Sequence, residues 1–314
     1  MSIFQQIKRG IQARPQRVIV YGPEGVGKST LAAGFPNPLF VDTEEGTSHL
    51  DVARVQVKSL AEIEELIDQL MSEKHDFKTF VLDTIDWAEQ LMINAIIREK
   101  NDPKIKNIED FGYGKGYVIA ANRMGEFLKK LNALMEIGMN VVLLGHSRRV
   151  KFELPESVGS YDKYELKLTK HCSPLVKEWS DAILFMNFIT STQDGKGIGG
   201  EARMVYTSPQ APWEAKNRYN LPSTLPAEPA EISRLIFSSA SAPVQSEKHE
   251  SLADVLEREF GDLPTLEFLI ARNEIPGNGT WRDISKGYAQ RMLARKDIFR
   301  KTVNEWKGEP VHAN

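Results

Sequence analysis

The chain has 314 residues, 41% of them hydrophobic and 26% charged, with a formal net charge of −3. That length suits one large domain with an appendage or two modest domains, and the balance is that of a soluble globular protein. A nearly neutral total excludes a global basic field, so any nucleic-acid site has to be local.

In chain order, the apolar, β-branched segment Val18–Tyr21 reads as a strand. The loop Gly22-Pro23-Glu24-Gly25-Val26-Gly27-Lys28-Ser29-Thr30 follows, and then a helix from Thr30 to Phe35 that Pro36 stops. Pro38–Asp42 is a second strand, Leu60–Ser72 a helix with Ile63, Leu66, Ile67 and Leu70 on one face, Thr79–Asp83 a third strand and Trp87–Lys100 a helix. Residues 101–117 are polar and glycine-punctuated; a long helix, Ala120–Ile137, and a strand, Asn140–Leu144, come next. From Ser147 to about Ser173 periodicity is lost, and a loop that long inside a domain is usually functional. Ala182–Ile189 and Ala202–Tyr206 bracket a glycine-rich tip, Asp194–Gly200, the pattern of a β-hairpin. The expected division is a core over 1–237, a Ser/Ala/Pro linker over 238–248 and a small helical unit over 249–314, with helices at Leu252–Phe260, Leu266–Asn273 and Ser285–Trp306. Strands alternating with helices predict an α/β fold with a mostly parallel sheet flanked by helices. The single cysteine, Cys172, excludes an intramolecular disulfide and fits a reducing, cytoplasmic setting. The first residues lack the apolar core of a signal peptide, and no run approaches the ~18 apolar residues of a membrane span, so no membrane partner is expected.

The loop matches G-x-x-x-x-G-K-[ST] in the strand–loop–helix setting that makes it a phosphate-binding loop. Residues Gly22 to Thr30 would cradle the phosphates with backbone N–H groups, the helix start adding positive partial charge. Lys28 would reach the β- and γ-phosphates, and Ser29 would offer its hydroxyl to Mg²⁺. A second carboxylate for the metal is expected at an apolar strand's end, which selects Asp83; Asp86 is a weaker rival, better read as an N-cap before Trp87. Hydrolysis also needs a group that orients the attacking water. Many P-loop motors place a Glu directly after the metal-site Asp, but here Thr84 stands there. The other acidic strand end, Asp42-Thr43-Glu44-Glu45, lies on the same rim of a parallel sheet and makes Glu44 the candidate base.

In this arrangement the chain resembles the RecA family over roughly Arg17 to Pro222. Phe40-Val41-Asp42-Thr43-Glu44 is similar to the strand that carries that family's catalytic Glu, and Gly112-Tyr113-Gly114-Lys115-Gly116 stands at its first DNA-binding loop. Val142-Leu143-Leu144-Gly145-His146-Ser147-Arg148-Arg149 resembles the strand that ends in the γ-phosphate sensor, with His146 in place of the usual Gln. The irregular stretch after Arg149 falls at the second DNA-binding loop. Ala215-Lys216-Asn217-Arg218 resembles the Lys-Asn-Lys segment that reaches a neighbouring subunit's ATP site, which gives Lys216 and Arg218 a catalytic role in trans. Size and appended helices look most like the RecA-like ATPases that bacteriophages encode for single-strand annealing and recombination.

Single-strand binding needs cations and aromatic faces. The resemblance assigns Tyr113, Lys115 and Tyr117 to one DNA-binding loop and Arg148, Arg149, Lys151 and Lys163 to the other. The basic residues of the C-terminal unit, among them Arg282, Arg295, Arg300 and Lys301, read better as a solvated helix face. The expected protein is an ATP- and Mg²⁺-dependent ATPase that assembles on single-stranded DNA as a ring or filament of identical subunits, with a single-strand-binding or replication protein as a further partner. A P-loop switch or loader for a protein partner is the alternative, and a phosphotransferase, for which no lid or acceptor site is recognisable, comes third.

Overall fold

A computed structural model describes residues 7, 10, 14–153, 160–193, 196–237 and 252–306, the last range apart from 273, 277, 278, 286, 287, 290, 291 and 294. The chain divides into two units, 1–243 and 244–314; the proposed linker at 238–248, and residues 194 and 195 of the hairpin tip, lie outside the described residues.

In the first unit the strands are β1 (Arg17–Gly22), β2 (Pro38–Asp42), β3 (Ala53–Gln56), β4 (Thr79–Asp83), β5 (Asn140–Glu153), β6 (Ser160–Leu166), β7 (Ala182–Gln193), β8 (Lys196–Tyr206), β9 (Lys216–Asn217) and β10 (Thr224–Pro226). The helices are α1 (Lys28–Ala33), α2 (Leu60–Ser72), α3 (Ile85–Lys100), α4 (Lys115–Glu136), α5 (Cys172–Trp179) and α6 (Pro229–Phe237). They surround a ten-stranded sheet of order β10-β8-β7-β1-β5-β4-β2-β3, with β6 on β5 and β9 on β7. Neighbours from β7 through β1, β5, β4 and β2 to β3 run parallel, and β8 returns antiparallel to β7 as the expected hairpin.

Alternation along each parallel strand builds the two faces. Ile19 and Tyr21 of β1, Phe80 and Leu82 of β4 and Val141 and Leu143 of β5 face one core, with α2, α3, α4 and α5. Val18 and Val20, Val81, and Val142 and Leu144 face the other, with α1 and α6. A sheet covered on both faces reads as continuous apolar runs, which is why these strands stand out in the sequence. Helix α2 has the expected bounds: Ser59 accepts from the Glu62 amide, the Glu62 carboxylate answers at the Ser59 hydroxyl, and Leu60, Ile63, Ile67 and Leu70 are buried. Helix α4 starts at Lys115, five residues before the expected Ala120, and buries Ala120, Met124, Phe127, Leu131 and Leu134.

The stretch after Ser147 is not a long irregular loop: β5 runs on to Glu153 and β6 returns against it, from Ser147 opposite Leu166 to Glu153 opposite Ser160. Arg149-Val150-Lys151-Phe152-Glu153 does alternate charged and apolar residues, but the run is short, and β6 breaks the period by setting Asp162 and Lys163 between Tyr161 and Tyr164. Helix α5 occupies the end of the same stretch.

The second unit holds α7 (Leu252–Phe260), α8 (Thr265–Ala271) and α9 (Lys296–Glu305) around Leu256, Phe260, Phe268, Leu269 and Val303. The single helix expected from Ser285 is replaced by shorter pieces, with α9 beginning only at Lys296. Its cations are partly paired, Arg300 with Asp262, Lys296 with Glu259 and Lys301 with Glu305. No helix among the described residues is long and apolar enough to cross a membrane.

At the start of the parallel strands, Asp181 is 1% exposed and joins three guanidinium groups, Arg14 at 2.7 Å, Arg17 at 2.9 Å and Arg218 at 2.9 Å. Burial alone would raise its carboxyl, but these bonds outweigh it and hold the group below the ordinary carboxylate range. A depressed carboxylate stabilises the fold above its unfolded value of ~3.9, and that contribution is lost as pH falls through the folded value. Asp181→Asn is therefore expected to cost about 2 kcal/mol at neutral pH, since two of its arginine partners are half exposed, and to make the acid-side loss of stability shallower. Urea unfolding of both proteins at neutral pH and at about pH 3 measures this.

Candidate functional site

The loop after β1 keeps the backbone shape that its glycines permit. A Cβ at Gly22 would stand 2.1 Å from the Met186 carbonyl oxygen of β7, so only glycine lets the two strands pack there. Gly27 has φ +98°, and a Cβ on it would meet the Arg203 guanidinium at 2.6 Å. Val26 is buried in the core, so its side chain serves packing and only its backbone is free for a ligand. Gly25, Gly27, Lys28, Ser29 and Thr30 line a cleft of about 340 Å³ together with Asp42, Glu44, Gly46, His49, Asp83, His146 and Arg203.

Lys28 is 6% exposed, and its ammonium donates to the carbonyls of Gly22 at 3.2 Å and Pro23 at 3.0 Å. Burial lowers its pKa, opposed by the nearby Asp83, Asp86 and Glu44 carboxylates. Ser29 Oγ donates to Asp83 Oδ2 at 2.6 Å. Burial raises the Asp83 pKa against that hydrogen bond. A hydroxyl and a carboxylate meeting at one point beside a buried ammonium fit a divalent cation and the phosphates it accompanies. Ser29 and Asp83 would hold the metal, and Lys28 the phosphates.

Strand order places the remaining groups. Because β5 lies between β1 and β4, its residue His146 pairs with Gly22 at the head of the loop, while Leu144 pairs with Asp83. Asp42, 1% exposed, accepts from the amides of Glu44, Gly46 and Thr47 and from the Thr47 hydroxyl, which shapes the loop that carries Glu44. Burial would raise the Asp42 carboxyl, but these donors outweigh it and lower it. Glu44 Oε1 accepts from the Thr84 hydroxyl at 2.5 Å and lies 3.7 Å from His146 Nδ1, with its side chain 27% exposed to the cleft. Glu45 turns away to Lys58 at 3.8 Å. Thr43 brackets the cis Asp83–Thr84 peptide, donating to the Asp83 carbonyl and accepting from the Thr84 amide.

Asp86 is not the N-cap of α3. That position belongs to Thr84, which makes no side-chain cap bond, and Asp86 lies within the first turn. Its carboxylate accepts from the His146 amide at 3.0 Å and pairs with the ring Nδ1 at 2.9 Å. Burial would raise Asp86, but the His146 bonds outweigh it and lower it, while the same side-chain bond raises the His146 pKa. Among the described residues Glu44, Asp86 and His146 form the one group whose ligand atoms lie close enough, within 4.8 Å, to share a metal ion, but Asp86 is already hydrogen-bonded to His146 and Glu44 to Thr84.

Lys216 and Arg218 are not brought to this cleft. Lys216 donates to the carbonyls of Lys177, Glu178 and Ser180 at the C-terminal end of α5, and Arg218 binds Asp181. Lys216 pairs with Ile183 near the start of β7, opposite Ile19 and about 10 Å along β1 from Gly22, and Asp181, which holds Arg218, bonds the Arg17 carbonyl, about 16 Å from Gly22.

The residues expected to meet DNA fall on separate elements. Tyr113, 103% exposed with φ +49°, precedes α4 between Gly112 and Gly114, and Lys115 is the first residue of that helix. The Tyr117 ring stacks on His171 at 5.8 Å, and its hydroxyl bonds Glu109. Arg149 and Lys151 are exposed on the β5–β6 hairpin, whereas Arg148 lies 3.6 Å from Glu165 and Lys163 3.1 Å from Glu214.

Three contributors escaped sequence reasoning. Thr84 read as a missing acid and is the hydroxyl that holds Glu44. Asp86 read as a cap. Arg203 stands on β8, remote in sequence from the loop it covers, and no local motif singles it out.

The fold and the cleft together define a P-loop nucleoside-triphosphatase domain. The chain belongs to the AAA domain family, whose model matches residues 14–219. Members of this family hydrolyse nucleotides, typically ATP with Mg²⁺. No curated protein matches the chain significantly.

Thr84→Val removes the donor that positions Glu44 at nearly constant volume. It is expected to lower ATP turnover about tenfold or more with ATP affinity retained, while Thr84→Ser keeps most of the activity; steady-state kinetics with equilibrium nucleotide binding checks both.

Proposed function

We propose that the protein is a RecA-like, Mg²⁺-dependent ATPase that binds single-stranded DNA and assembles into oligomers for recombination or single-strand annealing. One observation carries this reading: β5 brings His146 to the nucleotide rim and continues directly into the hairpin that bears Arg148, Arg149 and Lys151. A single strand thus spans the cleft and a cationic surface, so a change at either end has a stiff path to the other.

In this reading Lys28 binds the β- and γ-phosphates, and Ser29 and Asp83 hold Mg²⁺. When bound, the metal neutralises charge on the phosphoryl oxygens. Glu44, steadied by Thr84, orients the attacking water and takes its proton; His146 contacts the γ-phosphate. Arg203 adds a second cation over the loop.

Arg218, half exposed beside Asp181, and Lys216, once released from its three carbonyl partners, would act on a neighbouring subunit, because their own cleft lies at the other end of the sheet. A contact of that kind is head-to-tail and yields a ring or a helical filament. Tyr113 and Lys115 would supply a second contact to the strand, with bases stacking on the exposed ring.

A loader or switch for a protein partner is the second reading. It is favoured by Glu165 and Glu214, which neutralise part of the hairpin's charge, and by exposed Phe152 beside Tyr161, with ring centroids 5.4 Å apart.

ATP turnover measured with and without single-stranded DNA separates the two. Stimulation, lost in Lys28→Ala and in Glu44→Gln, the latter still binding ATP, supports the first reading. ATPase activity without stimulation or DNA binding at low salt leaves the second. Arg149→Ala/Lys151→Ala should weaken DNA binding and flatten its salt dependence by about two counterions. Mixing Arg218→Ala with Lys28→Ala should restore part of the turnover if sites are completed between subunits.

A further inference from the structure

The cleft holds a histidine where an uncharged side chain would serve as a simple contact, and that histidine is gripped by a buried acid. Asp86 receives the His146 amide on one carboxylate oxygen, at 3.0 Å, and the ring Nδ1 on the other, at 2.9 Å. Two-point attachment fixes both the backbone at residue 146 and the rotation of the ring. With Nδ1–H committed to Asp86, Nε2 is the ring nitrogen left for a ligand in the cleft that His146 lines.

The proton count then decides what His146 does. A neutral ring with its proton on Nδ1 presents a lone pair at Nε2, which repels a phosphate oxygen. A second proton, on Nε2, turns the ring into an imidazolium whose two N–H groups donate to Asp86 and to the phosphate. The charge stays balanced inside the protein because Asp86 remains ionised.

We propose that Asp86 is a positioning residue that holds His146 as a cationic Nε2–H donor to the terminal phosphate of the bound nucleotide, so that turnover requires the protonated imidazole. This rests on the ATPase reading above.

The surroundings of His146 are mixed in charge. Asp86 on α3 and Glu44 on the loop after β2 favour the imidazolium, while Lys28 on α1 and burial oppose it; Arg203 on β8 lines the same cleft and acts in the same sense as Lys28. The Asp86 hydrogen bond is the largest of these influences and raises the histidine above its ordinary value of ~6.5. A raised base keeps its proton to higher pH and loses it as pH climbs through the raised value. The anionic terminal phosphate moves that loss further upward.

The test is the pH dependence of kcat for ATP in the full chain, for the unsubstituted protein, Asp86→Asn, His146→Gln and the double variant. Asn offers one acceptor oxygen where the carboxylate offers two, so it keeps the bond to Nδ1–H only by releasing the His146 amide, and it removes the charge. The expected result is a descending alkaline limb in the unsubstituted protein, displaced to lower pH in Asp86→Asn, so that its kcat falls about tenfold at pH 7.5 and recovers toward pH 6. His146→Gln should lack that limb, and Asp86→Asn should add little in the His146→Gln background. A purely structural role for Asp86 would lower kcat equally at every pH. With only six histidines in the chain, imidazole ¹⁵N NMR of the folded proteins gives a readout independent of turnover: the His146 titration should move to lower pH in Asp86→Asn. An unmoved limb or an unmoved titration overturns the inference while leaving the ATPase reading intact. Absence of ATP turnover in the unsubstituted protein overturns the ATPase reading, and this inference with it.

Discussion

Burying a parallel sheet on both faces leaves its charged residues only one kind of place to go. The side chains of β1, of β4 and of β5 as far as Leu144 alternate into two apolar cores and are almost wholly inaccessible. A charge in mid-strand would be desolvated without a partner. The ionisable groups therefore collect at the two rims. At the carboxyl rim they are Asp42 and Asp83 at the ends of β2 and β4, Lys28 at the start of α1, and His146 where β5 passes Gly22 at the head of the phosphate loop. At the amino rim Asp181 gathers Arg14, Arg17 and Arg218.

The rims differ in how their charges are settled. At the amino rim one buried acid faces three bases, and the set is satisfied within the chain. At the carboxyl rim Lys28 and Asp83 are both pushed toward their neutral forms by burial. Lys28 leans on backbone carbonyls and Asp83 on a serine hydroxyl. Those are partners that a polyanion and a divalent cation would replace with stronger, charge-assisted ones. The folded cleft thus holds two groups whose preferred partners come from outside, and the free energy of nucleotide binding has a place to act.

The rest of the rim is arranged by hydroxyls and amides. Thr43 and Thr84 tie the end of β4 to the loop after β2, Asp42 shapes that loop, and Asp86 ties α3 to β5. Apart from the local bonds of Asp42, each link joins elements that are neighbours in space and distant in sequence. Movement of the Glu44 loop would be felt at Thr84 and then along α3, which begins there. The β5–β6 hairpin, an extension of the strand that carries His146, is coupled to the same set through Asp86.

The sequence by itself determined the phosphate loop, the alternating α/β order, the two-sided strands and the pair Ser29 and Asp83, because each is written in a short motif or a local period that folding leaves intact. Glu44 was also reachable, once Thr84 was seen where a second acid would stand. Only the tertiary structure decided that β5 separates β1 from β4, that β5 and β6 form a hairpin, that Thr84 holds Glu44 and that Asp86 grips His146 rather than capping a helix. It also decided that Lys216 and Arg218 lie at the far rim of their own subunit, and that Arg203 covers Gly27. The reason is physical: these depend on strand order and register, which bring together residues as much as 176 positions apart, and no local pattern of side chains encodes which strand lies beside which.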